Sequence, residues 1–250
     1  MRPTTIYFFV IGLFLALPAF SQKETRTVPS FHSVSFGIPG TLYLKQGDVQ
    51  SLELEGDKDD LNEIETEVVN GQLRIKVGNH QWFNWNFRND VAVYITAPNL
   101  DEVSLGGSGK IVGNSKIKSD HMRLSVSGSG NMELEVVSDE LTLDVSGSGK
   151  MDLALNAGSV DQHISGSGGI TLSGNAGKAA LDISGSGKLD ATGMDAGSYD
   201  ITISGSGRAS ISVRDAITAN ISGSGTVYYK GSPDRVISKV SGSGKVKKMD

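Results

Sequence analysis

The sequence predicts an all-β protein, a parallel β-helix or β-solenoid with coils of about 19 residues and Gly-Ser-Gly corners. First, Gly-Ser-Gly recurs with its leading glycine at 107, 128, 147, 166, 185, 205, 223 and 242, at spacings of 21, 19, 19, 19, 20, 18 and 19 residues. Second, an apolar column stands two residues before each corner: Leu105, Val126, Val145, Ile164, Ile183, Ile203, Ile221 and Val240. A matching column stands four residues after the leading glycine: Ile111, Met132, Met151, Ile170, Leu189, Ala209, Val227 and Val246. Polar residues alternate with these positions, which is the period of a strand and not of a helix. Third, glycine makes up 32 of 250 residues and aromatics only 6%, too little bulk for an ordinary globular core, and the corners use 16 of those glycines.

Taken from the start of the chain, residues 1–21 read as a cleaved secretory signal. Arg2 precedes an apolar run of 12 residues at 6–17, and Ala19-Phe20-Ser21 supplies small residues before Gln22. The run is shorter than the ~20 residues that a membrane-spanning helix needs, so the mature chain is not expected to be an integral membrane protein. The sequence has no cysteine, which excludes a thiol-linked lipid anchor, disulfides and thiolate metal sites. Without the leader, 22 Lys+Arg face 28 Asp+Glu, a balance unsuited to wrapping nucleic acid. Export to the periplasm, the outer surface or the medium is expected.

Residues 22–102 lack the Gly-Ser-Gly corner but keep strand alternation, as in Leu42-Tyr43-Leu44, Leu52-Glu53-Leu54, Leu73-Arg74-Ile75-Lys76-Val77 and Val91-Ala92-Val93-Tyr94-Ile95. They read as divergent coils that cap the array, since an open solenoid end is an unpaired sheet edge. Residues 103–250 read as the regular solenoid. A single coil cannot bury its inward face, but coils stacked at roughly 4.8 Å pair in parallel and align like residues in columns. The serine before each corner (Ser127, Ser146, Ser165, Ser184, Ser204, Ser222, Ser241) suits a hydrogen-bonded ladder at the bend. A third segment, with small inner residues as in Asn156-Ala157-Gly158 and Asn175-Ala176-Gly177, completes each coil. Lys245, Lys247 and Lys248 read as charged residues that guard the far edge.

A set of motifs carries a resemblance. Residues 26–34 (RTVPSFHSV), 40–47 (GTLYLKQG), 70–75 (NGQLRI) and 97–100 (APNL), leading into Gly107-Ser108-Gly109, resemble the exported bacterial family of autotransporter adhesin head GIN domains, of Bacteroidetes-type bacteria. The resemblance spans nearly the whole mature chain. It implies a β-helix-like fold and an adhesive or surface-binding role, with no catalytic residues to carry over. No outer-membrane barrel follows within the 250 residues, so self-translocation is not expected.

No catalytic signature emerges. The repeated Gly-Ser-Gly-Lys lacks the spacer and following Ser/Thr of a phosphate-binding loop, and no Gly-x-Ser-x-Gly elbow occurs. His32, His80, His121 and His163 lack metal-ligand spacing, and no cofactor is expected. Three features remain as candidates. Position three after the leading glycine holds Lys110, Asn131, Lys150, Gly169, Lys188, Arg208, Thr226 and Lys245, a cationic stripe that suits an anionic glycan or lipopolysaccharide; its plainer reading is turn solvation. The segment 81–87 (QWFNWNF) holds both tryptophans; Phe83, Trp85 and Phe87 share one strand face, which leaves Trp82 as a ring that can stack on a sugar. Position three before the corner holds Asp144, His163 and Asp182 in successive coils, a candidate cation or acid/base column whose plainer reading is a solvated polar face. The leading functional reading is a non-catalytic adhesin that binds a polysaccharide or another surface component. The rivals are a self-assembling envelope scaffold and a polysaccharide lyase or hydrolase.

Overall fold

The computed structural model describes residues 22–78 and 91–249. Residues 1–21, read as a leader, and the aromatic segment with Trp82 lie outside the described residues. The chain runs through β1 (Gln22–Thr25), β2 (Ser33–Phe36), β3 (Thr41–Gln46), β4 (Ser51–Gly56), the short helix α1 (Lys58–Asn62), β5 (Ile64–Val69) and β6 (Gln72–Val77). It continues through β7 (Ala92–Ala97), β8 (Glu102–Gly107), β9 (Lys110–Gly113), β10 (Ile117–Gly128), β11 (Asn131–Gly147), β12 (Lys150–Gly166) and β13 (Gly169–Gly185). The last elements are β14 (Lys188–Gly205), β15 (Arg208–Gly223), β16 (Thr226–Lys230), β17 (Arg235–Gly242) and β18 (Lys245–Lys248). The result is the β-solenoid that the repeat predicts.

Each coil pairs in parallel with the next, in the register set by the repeat. Leu105, Val126, Val145, Ile164, Ile183, Ile203, Ile221 and Val240 lie opposite one another in succession. All but Val240 are buried. Each such side chain contributes about 1.5–3 kcal/mol of burial, so the column supplies the cohesion that the sparse aromatic content cannot.

The corners show why glycine is required twice. Gly166 has φ of 112°, and a Cβ there would stand 2.7 Å from the Gly147 carbonyl oxygen of the coil below. A Cβ on Gly168 would stand 2.7 Å from the Gly149 oxygen and 2.5 Å from Val145 Cγ1. Backbone bonding continues through the bend: the Ser167 N–H donates to Gly147 O at 2.9 Å and the Gly169 N–H to Gly149 O at 3.0 Å. The ladder at the corner is therefore made by the backbone of the serine between the glycines. The serines before the corner align in register, Ser127 opposite Ser146 and Ser146 opposite Ser165. Among the described residues, however, no side-chain bond joins that column.

At the N-terminal end, stacking order departs from chain order. β2 lies between β6 and β8, and β3 between β7 and β9, all in parallel. The first coil is thus second in the stack. Beyond β6 and β7 the pairing turns antiparallel: β5 on β6, β4 on β7, and β1 on β4. The β5–β6 hairpin closes through Asn70 and Gly71, with φ of 52° and 77°, the paired positive values of a type I′ turn. Helix α1 opens on Asp57, whose side chain accepts the Asp59 N–H at 2.9 Å, and it buries Leu61 over this end. The Arg26 guanidinium donates to the Leu61 and Ile64 carbonyl oxygens at 2.8 and 2.6 Å, tying β1 to α1 and β5.

Inside the coils two polar residues meet. Gln162 replaces the Leu143 and Leu181 of its neighbours in register. Its Nε2 lies 3.5 Å from the Tyr199 hydroxyl, while its Oε1 is buried without a partner. Burial pushes the Tyr199 phenol well above its ordinary pKa. Replacing both partners by apolar residues removes an unsatisfied acceptor, which costs about 1–3 kcal/mol when buried. The double variant Gln162→Leu/Tyr199→Phe is therefore expected to resist urea better than the parent. A lower midpoint would show that the amide and phenol are net stabilising.

The C-terminal end, unlike the N-terminal one, has neither antiparallel strands nor a helix over its last coil among the described residues. β17 pairs only with β15 and β18 only with β16, so both present an outer edge without a partner among the described residues. Val236, Ile237 and Val240 are 41–43% exposed there.

Candidate functional site

The parallel register assembles the cationic column on the outward face. Lys110 lies opposite Asn131, Asn131 opposite Lys150, and Lys150 opposite Gly169. Gly169 in turn faces Lys188, Lys188 faces Arg208, Arg208 faces Thr226, and Thr226 faces Lys245. The members are not equivalent. Lys110 is held by Glu133 at 2.7 Å. The Arg208 guanidinium sits over the Tyr228 ring, 5.7 Å from its centre. Among the described residues Lys150 and Lys188 have no carboxylate within 4.0 Å.

Gly169 breaks the column where those two lysines flank it. The missing side chain leaves a groove of about 340 Å³ between Lys150, Lys188 and Arg208, with Thr171, Asp190 and Ser210 alongside. The one carboxylate, Asp190, already accepts the backbone N–H and the hydroxyl of Thr192 at 3.1 and 2.7 Å. From Lys150 to Arg208 the groove crosses three coil spacings, about 14 Å. Three cations along a shallow groove of that length match an extended anionic chain better than a compact ligand. A single deep pocket is not what this face offers.

The other sequence candidates are placed as follows. Asp144, His163 and Asp182 do lie opposite one another in successive coils. Asp144, however, is paired with Arg123 at 2.6 Å, and among the described residues no ion pair links the three. Nor does any group of three His, Asp or Glu there gather to hold a metal. Trp82 lies outside the described residues. One cluster escaped sequence reading: His32 and His121 line a groove of about 430 Å³ with Asp101 and Asp120. His32 Nδ1 lies 2.8 Å from Asp101, and His121 Nδ1 lies 3.0 Å from Glu140. The His121–Glu140 half was visible, since both stand seven residues before their corners. The His32 half was not, because it depends on the stacking order of the first coil.

The model of the family described as "Putative auto-transporter adhesin, head GIN domain" matches residues 30–153 and 134–233. The chain belongs to this family. Solved structures share its fold along most of its length. A "putative lipid binding protein" from Parabacteroides distasonis superposes with a TM-score of 0.86 at 25% identity, covering 93% of this chain and 98% of that one. A "putative adhesin" from Parabacteroides merdae gives 0.83 at 25% identity, with the same coverage of 93% and 98%. A "putative adhesin" from Bacteroides fragilis, 22% identical over 92% of this chain and 97% of that one, shares the fold with a TM-score of 0.71. Comparison with curated proteins gives no match. Among the described residues no helix is long and apolar enough to cross a membrane.

Proposed function

We propose that this head GIN domain protein is an exported, non-catalytic surface binder whose ligand is an extended polyanion, an acidic glycan or the anionic part of lipopolysaccharide. The Gly169 groove, with Lys150, Lys188 and Arg208 around it, carries the reading. The family supports surface adhesion in general, and the groove supplies the charge and the length for an anionic chain. Binding spread over several coils gives affinity through many weak contacts. The absence of a recognisable acid/base pair around the groove, where Asp190 is taken by Thr192, argues for holding and not cleaving the chain.

Affinity electrophoresis of the purified protein in gels containing neutral or acidic polysaccharides tests this. Retardation by acidic polymers, without cleavage products and weakening with added salt, is the expected result. Lys150→Gln/Lys188→Gln is expected to lose about tenfold in affinity, since two uncompensated cations leave the groove. Retardation by neutral polymers alone, or an unchanged double variant, would refute the polyanion reading. A parallel gel shift with anionic lipid vesicles separates a glycan from a lipid headgroup as the source of the charge.

A further inference from the structure

The two ends of the solenoid are unlike in charge. Residues 48–67, which build α1, β4, β5 and their turns, contain nine acidic residues and only Lys58 as a base. Residues 226–249, the final coil, contain Lys230, Arg235, Lys239, Lys245, Lys247 and Lys248 against a single acid, Asp234. Among the described residues none of those six cations has a carboxylate within 4.0 Å. At the acidic end Lys23 pairs with Glu55 and Lys76 with Glu65 and Glu67, which leaves six of the nine acids without a cation within 4.0 Å among the described residues, and the basic end is unneutralised.

The ends also match in strand layout. Each terminates in two strands whose outer edges have no partner among the described residues: β1 and β5 at one end, β18 and β17 at the other. Following the ladders through the stack, β5 and β17 belong to one side of the coil and β1 and β18 to the other. β1 and β18 have four residues each, and β5 and β17 have six and eight. Among the described residues, three of the four large apolar residues left exposed, Val236, Ile237 and Val240, lie on β17, and the fourth, Val49, lies in the turn into β4. Unpaired edges and uncovered core residues are the features that invite strand addition.

We infer that the basic C-terminal coil is a docking surface for the acidic N-terminal end of a second copy of this chain, so that molecules join head to tail and extend the sheet. β5 of one copy lies against β17 of the next, and β1 against β18. Like charge opposes head-to-head and tail-to-tail contacts, so the same residues that block the wrong pairings select the right one. A heterologous contact of this kind does not close on itself unless a rotation forms a ring, and a straight rod gives an open filament. The surface is separate from the Gly169 groove and does not depend on what that groove binds.

Sedimentation velocity of the purified protein over a concentration series decides it. In low salt the average mass is expected to rise at least twofold with concentration and to return to the monomer in molar salt, where the screening length is about 3 Å. Lys239→Glu/Lys247→Glu alone, and Asp59→Lys/Glu65→Lys alone, are each expected to stay monomeric with unchanged circular dichroism. Mixed in equal amounts, the two variants are expected to associate again, because the unaltered acidic end of the first meets the unaltered basic end of the second. A parent protein that is monomeric throughout overturns the inference, as does association indifferent to salt and to both reversals. Monomers that bind anionic vesicles through Lys239 and Lys247 would also overturn it, by assigning the end to a membrane.

Discussion

Gly168→Ala is expected to destabilise the protein by about 2–4 kcal/mol, whereas Gly169→Ala, one residue along, is expected to leave it unchanged or slightly more stable. The two glycines differ in what surrounds them. At 168 a methyl group would press on the Gly149 carbonyl and on Val145 at 2.7 and 2.5 Å, and the coil below cannot move without breaking its own ladder. At 169 the nearest atom to an added Cβ is the Lys188 oxygen at 3.5 Å, an ordinary contact, and the unfolded chain loses freedom. Urea denaturation of both variants checks this. Equal effects would mean that the corner relaxes as a unit and that the backbone approach is not limiting.

Arg26→Met is expected to open the N-terminal end. The guanidinium of Arg26 reaches the Leu61 and Ile64 carbonyls and Glu24, three acceptors that a thioether cannot satisfy. Loss of the charged bonds is expected to cost about 2–3 kcal/mol. Lysine should rescue little, because a single ammonium cannot reproduce the planar fork. Solenoids unfold in segments, so the sharper measurement is hydrogen exchange. Amides of β5 and α1 should lose protection by at least tenfold, while β12 and β13 keep theirs. Uniform loss along the whole chain would show instead that the end is coupled rigidly to the repeat.

The fold was legible wherever the repeat holds. From Leu105 to Val240 a nearly constant spacing, counted from each corner, turns one alignment into a register, and the cationic column from Lys110 to Lys245 follows from the same arithmetic. Legibility fails at 33–97 for a physical reason. Strand alternation is identical in parallel and antiparallel ladders, so Leu52-Glu53-Leu54 in an antiparallel strand reads like Leu42-Tyr43-Leu44 in a coil. The special role of Gly169 was present in the sequence as a gap in a basic column. That gap becomes a groove only once Lys150 and Lys188 are known to stand free while Lys110 is held by Glu133. Gln162 showed as an exception to an apolar column, but its partner Tyr199 lies 37 residues on and two coils away.

The place of the first coil also governs how the chain can reach its final state. β2 and β3 emerge early in synthesis, yet their neighbours on one side are β6 and β7 and on the other β8 and β9. Their edges toward β6 and β7 stay open until residue 97 has been made and those toward β8 and β9 until residue 113, so the earliest strands cannot seed growth alone. Closing loops of that length precedes any return in pairing, which makes the assembly of residues 33–113 the slow event. Once it is complete, each later coil adds to a finished template through contacts only about 19 residues apart. Assembly of the N-terminal coils is thus expected to be slower than the pairing of the regular ones. A defect in β6 or β7 is expected to delay the N-terminal coils, whose strands wait on those partners, more than the regular coils, which pair with their own neighbours.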